Sequence, residues 1–286
     1  MNWRSFRMMF ELLSPLHVGF HKVGSVQRTR HYIPARNLLA SSAETFVHNG
    51  LFRCSYQGAL RWVQEHFAFS YFFVTETQEL IPRYTESGLK YGEVGKDSFE
   101  RRYISAHVTT AIEASDGSAE DGSLHEVEFI SPYTLDAPQD PKKTRMSGCV
   151  FVREDAWELV GDEIALRGQL TELQVGGERR YGFGRLRLRP ADWKPSESLS
   201  GSGPMIDGSR PQIKMVEGDC FRAHVPVGDA QARGMIEPLV GRETRTDSRT
   251  YGRTLTRSGI CWVPGSICDG TATFDFSEEG IWKRVH

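Results

Sequence analysis

Four glycines fall within nine residues at Gly176-Gly177-Glu178-Arg179-Arg180-Tyr181-Gly182-Phe183-Gly184, and Arg185 follows directly. Glycine has no Cβ, so it takes positive φ and lets the backbone approach a ligand closely, at a cost in chain entropy. Consecutive N–H groups in such a loop form a concave anion site. Arg179, Arg180 and Arg185 add guanidinium forks that match phosphate oxygens bidentately. Tyr181 and Phe183 are interleaved with them and offer ring faces on which a base can stack. Amides, guanidinium groups and rings in one short segment suit an RNA strand better than a mononucleotide pocket. The sequence has no G-x-x-x-x-G-K-[ST], and Gly182-Phe183-Gly184 lacks the third glycine and following helix of a dinucleotide site. The competing reading is a tight helix-to-strand turn whose arginines are merely solvated.

A second segment, His17 to Arg36, carries Lys22, Arg28, Arg30 and Arg36 with three histidines and leads into a helix N-terminus. Unpaired amides and the helix dipole make such an end a natural anion site. His17, His21 and His31, with Tyr32, have the chemistry for proton transfer at a ribose 2′-OH. No carboxylate lies nearby in sequence to orient them, and a histidine in a basic loop can simply bond phosphate. Contact with RNA through Lys22, Arg28, Arg30, His31 and Arg36, without chemistry, is the expectation.

These segments need elements to hold them. Arg4 to Ser14 alternates and stops at Pro15, as a strand does. A long loop is expected from Leu16 to Ile33, and a helix from Ala35 to Val47 on the spacing of Leu38, Leu39, Ala43, Phe46 and Val47, closed by Asn49-Gly50. Gly58 to Phe67 reads as a second helical piece, and Phe67 to Val74 as a buried strand. Tyr103 to Ala111, Leu124 to Ser131 and Met146 to Val152 read as further strands. Glu163 to Val175 has helical register, and Arg185 to Arg189 alternates Leu with Arg as an edge strand, arginines outward. This order fits an α+β fold with an enlarged ferredoxin-like, RRM-like domain over residues 1–192. Ser196 to Gly203 has linker composition, and a smaller β-rich part is expected over 204–286, with strand-like runs at Cys220 to Val227, Arg253 to Val263 and Thr271 to Phe276.

Bulk properties narrow the classes. Hydrophobic residues are 39% and charged residues 25%, which excludes a disordered or fibrous chain. The longest apolar run, Phe67 to Val74, is interrupted by Ser70 and too short to span a bilayer, so no membrane role is expected. The amino-terminal residues lack a signal-peptide pattern. Five scattered cysteines with no C-x-x-C argue against both zinc and a disulfide framework, so no cofactor or metal is expected and a cytoplasmic location is. The net charge of −2 is modest, but charge is segregated: Leu12 to Ala43 has no Asp or Glu, while Tyr103 to Pro141 has eight carboxylates and no Lys or Arg. A basic face for phosphate and an acidic face turned to a basic neighbour would follow if folding preserves that separation.

Three motifs in order resemble the CRISPR-associated RAMP superfamily: Leu13-Ser14-Pro15-Leu16-His17-Val18-Gly19 after the first strand, Tyr32-Ile33-Pro34-Ala35-Arg36-Asn37-Leu38 opening the first helix, and Gly176 to Arg185 before the last strand. Ala35 stands where that family has a glycine. Glu237 to Glu243 and Gly259 to Ser266 are similar to the handle-capping RAMP subunit of type III, III-D-like, effector complexes. The resemblance implies a subunit that clamps the 5′ handle of guide RNA (crRNA), caps the filament, contacts other RAMP subunits and docks the large polymerase/cyclase-like signalling subunit. It implies that Gly176, Gly177, Arg179, Arg180, Tyr181, Gly182, Phe183, Gly184 and Arg185 grip the handle, with no catalytic residue. Two other RAMP roles compete: an endoribonuclease that matures guide precursors with His17, His21 or His31 together with Tyr32, and a subunit that cuts target RNA with a loop aspartate, Asp116 or Asp121. A protein-only assembly adaptor is the alternative from another class.

Overall fold

A computed structural model describes residues 2–52, 55–110, 125–196, 209–243 and 254–285. Strand β1 (Trp3–Leu12) buries Phe6, Met8, Phe10 and Leu12 on one side, as its period of two requires. A hairpin, β2 (Gly19–Val23) and β3 (Val26–Thr29), occupies the segment expected to be loop. Val23 pairs with Val26 across Gly24-Ser25, and Gly24 takes φ 60°, the positive value a two-residue turn asks for. After β4 (Tyr32–Ile33) come α1 (Ala35–His48) and α2 (Tyr56–His66), then β5 (Phe67–Phe69) and β6 (Phe72–Val74). Ser70 caps that break from inside by accepting the Cys149 N–H at 2.8 Å.

A small sheet of β7 (Pro82–Thr85), β8 (Gly88–Tyr91) and β9 (Val94–Gly95) leads into α3 (Lys96–Tyr103), a helix the sequence did not announce. The antiparallel pair β10 (Ile104–Thr109) and β11 (His125–Ile130) follows; the acidic residues between them lie outside the described residues. β12 (Arg145–Arg153) is almost wholly buried. The helical register expected to reach Val175 instead divides after the short α4 (Trp157–Val160) and α5 (Glu163–Gln169) into β13 (Glu172–Gln174). Leu173 continues the helical spacing from Leu170 but also sits two before Val175, the strand spacing, and pairing with β14 (Arg185–Pro195) decides between them.

The main sheet runs β13-β14-β1-β12-β6-β4, with β5 also on β12. Its centre is a ferredoxin-like β-α-β-β-α-β unit, last strand beside the first and all neighbours antiparallel. β14 was expected at the edge, but β13 covers it. The remaining chain is rich in strand: β15 (Gln212–Met215), β16 (Val225–Pro226), β17 (Ala232–Arg233), β18 (Ile236–Glu243), β19 (Thr254–Trp262), β20 (Ile267–Cys268), β21 (Ala272–Phe276) and β22 (Trp282–Arg284). Of the run Cys220 to Val227, only Val225–Pro226 is strand. The fold is α+β, a ferredoxin-like domain with a β-rich part. Ile213, Phe221, Phe274 and Trp282 join Phe6, Phe10 and Phe151 in one core. Linker residues 197–203 lie outside the described residues.

Candidate nucleic-acid interface

The glycine-rich loop joins β13 to β14 and rests on the turn after β1. Gly176 has φ 89°, and a Cβ there would collide with the His17 carbonyl oxygen. The Gly177 N–H donates to that same oxygen at 2.8 Å. Gly184 has φ 78°; its N–H donates to Pro15 O at 2.7 Å, and a Cβ would collide with the Val175 carbonyl. These glycines therefore serve the close approach of two backbones, and at least two of their amides are satisfied internally.

What the loop presents outward is side chains. Glu178 takes a left-handed φ of 54°, and Arg179–Tyr181 makes a single 3-10 turn ending at Gly182. That turn lifts Tyr181 to 77% exposure, with Arg180 exposed beside it. Arg179 is tethered, its guanidinium donating to the Glu44 carboxylate at 2.6 Å. Gln174 braces the loop by donating to the carbonyls of Arg179 and Phe183 at 3.2 and 2.9 Å. Phe183 is not a free stacking face: it is buried edge-on against Phe129, ring centroids 5.6 Å apart.

Along β14 the arginines do point outward. Arg185, Arg187 and Arg189 alternate with buried Leu186 and Leu188. The register aligns Arg187, Glu11 and Arg145 across three strands. Arg187 pairs with Glu172 at 2.7 Å, while Arg145 and Arg189 share Glu11 at 3.3 and 3.4 Å. Sequence reasoning missed Arg145, because a single arginine opening an apolar strand carries no periodic signal.

The hairpin segment divides. Phe20, His21 and Lys22 are exposed on β2, and Arg28 is half-exposed between Glu128 at 3.0 Å and Glu100 at 3.9 Å. Arg30, expected at an RNA surface, faces inward. Its side chain is 9% exposed, pairs with Glu237 of β18 at 2.6 Å and donates to the Tyr32 hydroxyl at 3.1 Å. Burial opposes the Arg30 charge, but Tyr32 and Glu237 hold the guanidinium firmly protonated. Beyond Glu237 the network continues to His224 Nε2 at 2.6 Å and from His224 Nδ1 to the Tyr71 hydroxyl at 2.7 Å. This chain ties the hairpin base to the β-rich part.

His31 faces inward too. It sits between Tyr91 and Phe99, its Nδ1 2.7 Å from the Tyr91 hydroxyl, and burial with help from Arg28 and Lys96 pulls its pKa down to about 3. His17 is buried with Nδ1 2.7 Å from the Glu128 carbonyl. The N-terminus of α1 is not open to an anion: a Cβ on Gly280 would lie 2.5 Å from the Arg36 N, and one on Gly241 would meet the Arg36 guanidinium. The strand packing that fills this end could not be read from the Pro34-Ala35-Arg36 motif alone.

The exposed residues are thus Arg180 and Tyr181 in the loop, Arg185, Arg187 and Arg189 along β14, and Lys22 on the hairpin. They offer cations and one ring, suited to phosphates and a stacked base. Asp116 and Asp121 lie outside the described residues. Among the described residues no group of three His, Cys, Asp or Glu side chains is placed to hold a metal ion, and no helix is long and apolar enough to cross a membrane.

No protein-family model and no curated protein matches the sequence. Solved structures do. A chain in the cryo-EM structure of the type III-B Cmr-beta complex bound to cognate target RNA and AMPPnP aligns with a TM-score of 0.54 at 11% identity, covering 92% of this chain and 85% of that one. A chain of the same complex bound to cognate target RNA aligns at 0.53 and 12%, covering 92% and 86%. At this identity the likeness is one of fold: the chain shares its overall fold with a chain of that complex.

Proposed function

We propose that the protein is a guide-RNA-binding, non-catalytic subunit of a type III CRISPR effector complex, holding the 5′ handle and capping the filament beside other RAMP subunits and the large signalling subunit. The observation that carries this reading is the rigidly seated loop that projects Arg180 and Tyr181 beside the arginines of β14. The likeness in fold to chains of complexes that bind target RNA supports the setting. Binding rests on guanidinium–phosphate pairing and ring stacking, the sequence-independent part of nucleic-acid recognition. The inward placement of His17 and His31 favours a role without proton transfer, since neither ring reaches a strand lying on the loop.

The test is the affinity of the full chain for guide RNA across a salt series, with Arg180→Ala plus Tyr181→Ala against wild type. The expected loss is about tenfold or more, from one phosphate contact and one stacked base, with a shallower salt slope. Unchanged affinity and slope would contradict the assignment. Guide maturation should be unaffected by His17→Ala, His21→Ala or His31→Ala in cells where the protein level is intact. Loss of mature guide would bring the endoribonuclease reading forward.

A further inference from the structure

Beside the glycine-rich loop lies a cleft of about 560 Å³ between the end of α1 and the outer edge of β13, lined by Glu44, His48, Asn49, Gly168, Gln169 and Arg179 among others. From its position and chemistry, and resting on the RNA-binding reading above, we propose that it is a readout pocket for one splayed-out nucleobase of the RNA held by that loop.

Three features point to an uncharged planar ligand. First, the cleft's charges are already paired: Arg179 with Glu44 at 2.6 Å, and Arg185 with Glu172 at 4.0 Å. A phosphate would find little net positive field inside, whereas it finds one at exposed Arg180. Second, the wall is the outer edge of β13, to which no further strand pairs among the described residues. Val175 N–H donates to Gly184 O at 2.9 Å and Leu188 N–H to Thr171 O at 2.8 Å. Antiparallel alternation therefore aims the backbone groups of Glu172 and Gln174 away from β14, toward the cleft. The Gln174 carbonyl accepts from Ser41 Oγ at 3.0 Å; the neighbouring groups supply the fixed donor and acceptor pattern with which base edges are read. Third, the opposite lip offers amide side chains, Asn49 donating to Gln169 at 2.9 Å.

The pocket also sits at the right place. Arg179 and Arg185, which line it, lie in sequence on either side of the exposed pair Arg180 and Tyr181, so the loop itself forms part of the cleft wall. The Arg179 Nε is buried with no hydrogen-bond partner among the described residues, a donor left over inside the lining. A peptide adding to the edge would find only the three residues Glu172–Gln174, one carbonyl of which is taken. Sequence-specific RNA recognition commonly extrudes a base in this way and bonds its edges.

Gly168 provides a clean test, because it lines the cleft and a Cβ built on it meets nothing within 4 Å. Gly168→Trp extends an indole into the space from the helix side and leaves both lining arginines in the sequence. Binding of the full chain to single-stranded oligo(A), oligo(U), oligo(C) and an abasic ribose-phosphate strand separates the contributions. Wild type should prefer one base-bearing strand over the others by about tenfold, the scale of a good base-edge contact. Gly168→Trp should bind the three base-bearing strands alike. Equal affinity of wild type for every base, or a preference that survives Gly168→Trp, would overturn the pocket. So would a Gly168→Trp variant that keeps its RNA profile but loses a protein partner, which would make the edge a peptide site. Arg180→Ala with Tyr181→Ala should weaken the three base-bearing strands equally and the abasic strand less, since it has no base to stack on Tyr181. If it weakens none, the RNA-binding reading fails on its own account.

Discussion

The two glycines that flank Phe183 make unequal demands, and the difference is measurable. Gly182 and Gly184 both sit at positive φ, 82° and 78°. A Cβ on Gly182 meets nothing within 4 Å, so Gly182→Ala costs only the left-handed backbone, about 1 kcal/mol. A Cβ on Gly184 collides with the Val175 carbonyl, and Gly184 must then move. Movement weakens its bonds to Pro15 O at 2.7 Å and from Val175 N–H at 2.9 Å, each about 1 kcal/mol, on top of the same backbone strain. The sum is about 3–4 kcal/mol. For a chain of this size that corresponds to a melting temperature lower by roughly 10 °C for Gly184→Ala, against roughly 3 °C for Gly182→Ala. Thermal denaturation of the purified full chain followed by circular dichroism reads both shifts. Equal shifts in the two variants would refute the idea that Gly184 is required for backbone approach to the first turn.

Arg30→Met leaves Glu237 buried beside a neutral His224, and should lower stability by about 3–5 kcal/mol in chemical denaturation; adding Glu237→Leu should recover part of that loss. A loss under 1 kcal/mol would mean that the interlock is solvated. His31 gives a pH signature. Its folded pKa of about 3 lies below the unfolded value of 6.5, so the unfolded chain takes up the proton first, and stability is lost as pH falls between those values. From pH 7 to pH 5 this one group should remove about 2 kcal/mol, and His31→Gln should flatten that part of the profile. A wild-type curve matching His31→Gln over that range would contradict the burial of the ring.

Much of the ferredoxin-like unit was legible because its elements are strongly periodic: the alternation in β1, the Leu38–Val47 spacing of α1 and the Leu/Arg alternation of β14 leave one reading each. The β2–β3 hairpin escaped because Val23-Gly24-Ser25-Val26 is a weak turn signal embedded in basic residues, where function drew attention instead. The Glu163 to Val175 register was genuinely double, and only partner strand β14 divides it. Within the site, residue type was readable and direction was not. Arg30 and Arg180 look alike in sequence; Glu237, more than two hundred residues from Arg30, turns one inward. The glycines were read as an amide nest for anions, yet Pro15 and His17, brought against them by the fold, accept two of those amides.

The central claim is that RNA lies on the loop. Ultraviolet crosslinking of the full chain within its native ribonucleoprotein, followed by mass spectrometry of the linked peptide, tests it directly. Crosslinks should concentrate on Tyr181 and its neighbours in Gly176 to Arg185, on RNA whose linked end is the 5′ handle of the guide. A complex that carries no RNA, or crosslinks confined to segments away from the loop and β14, would contradict the account.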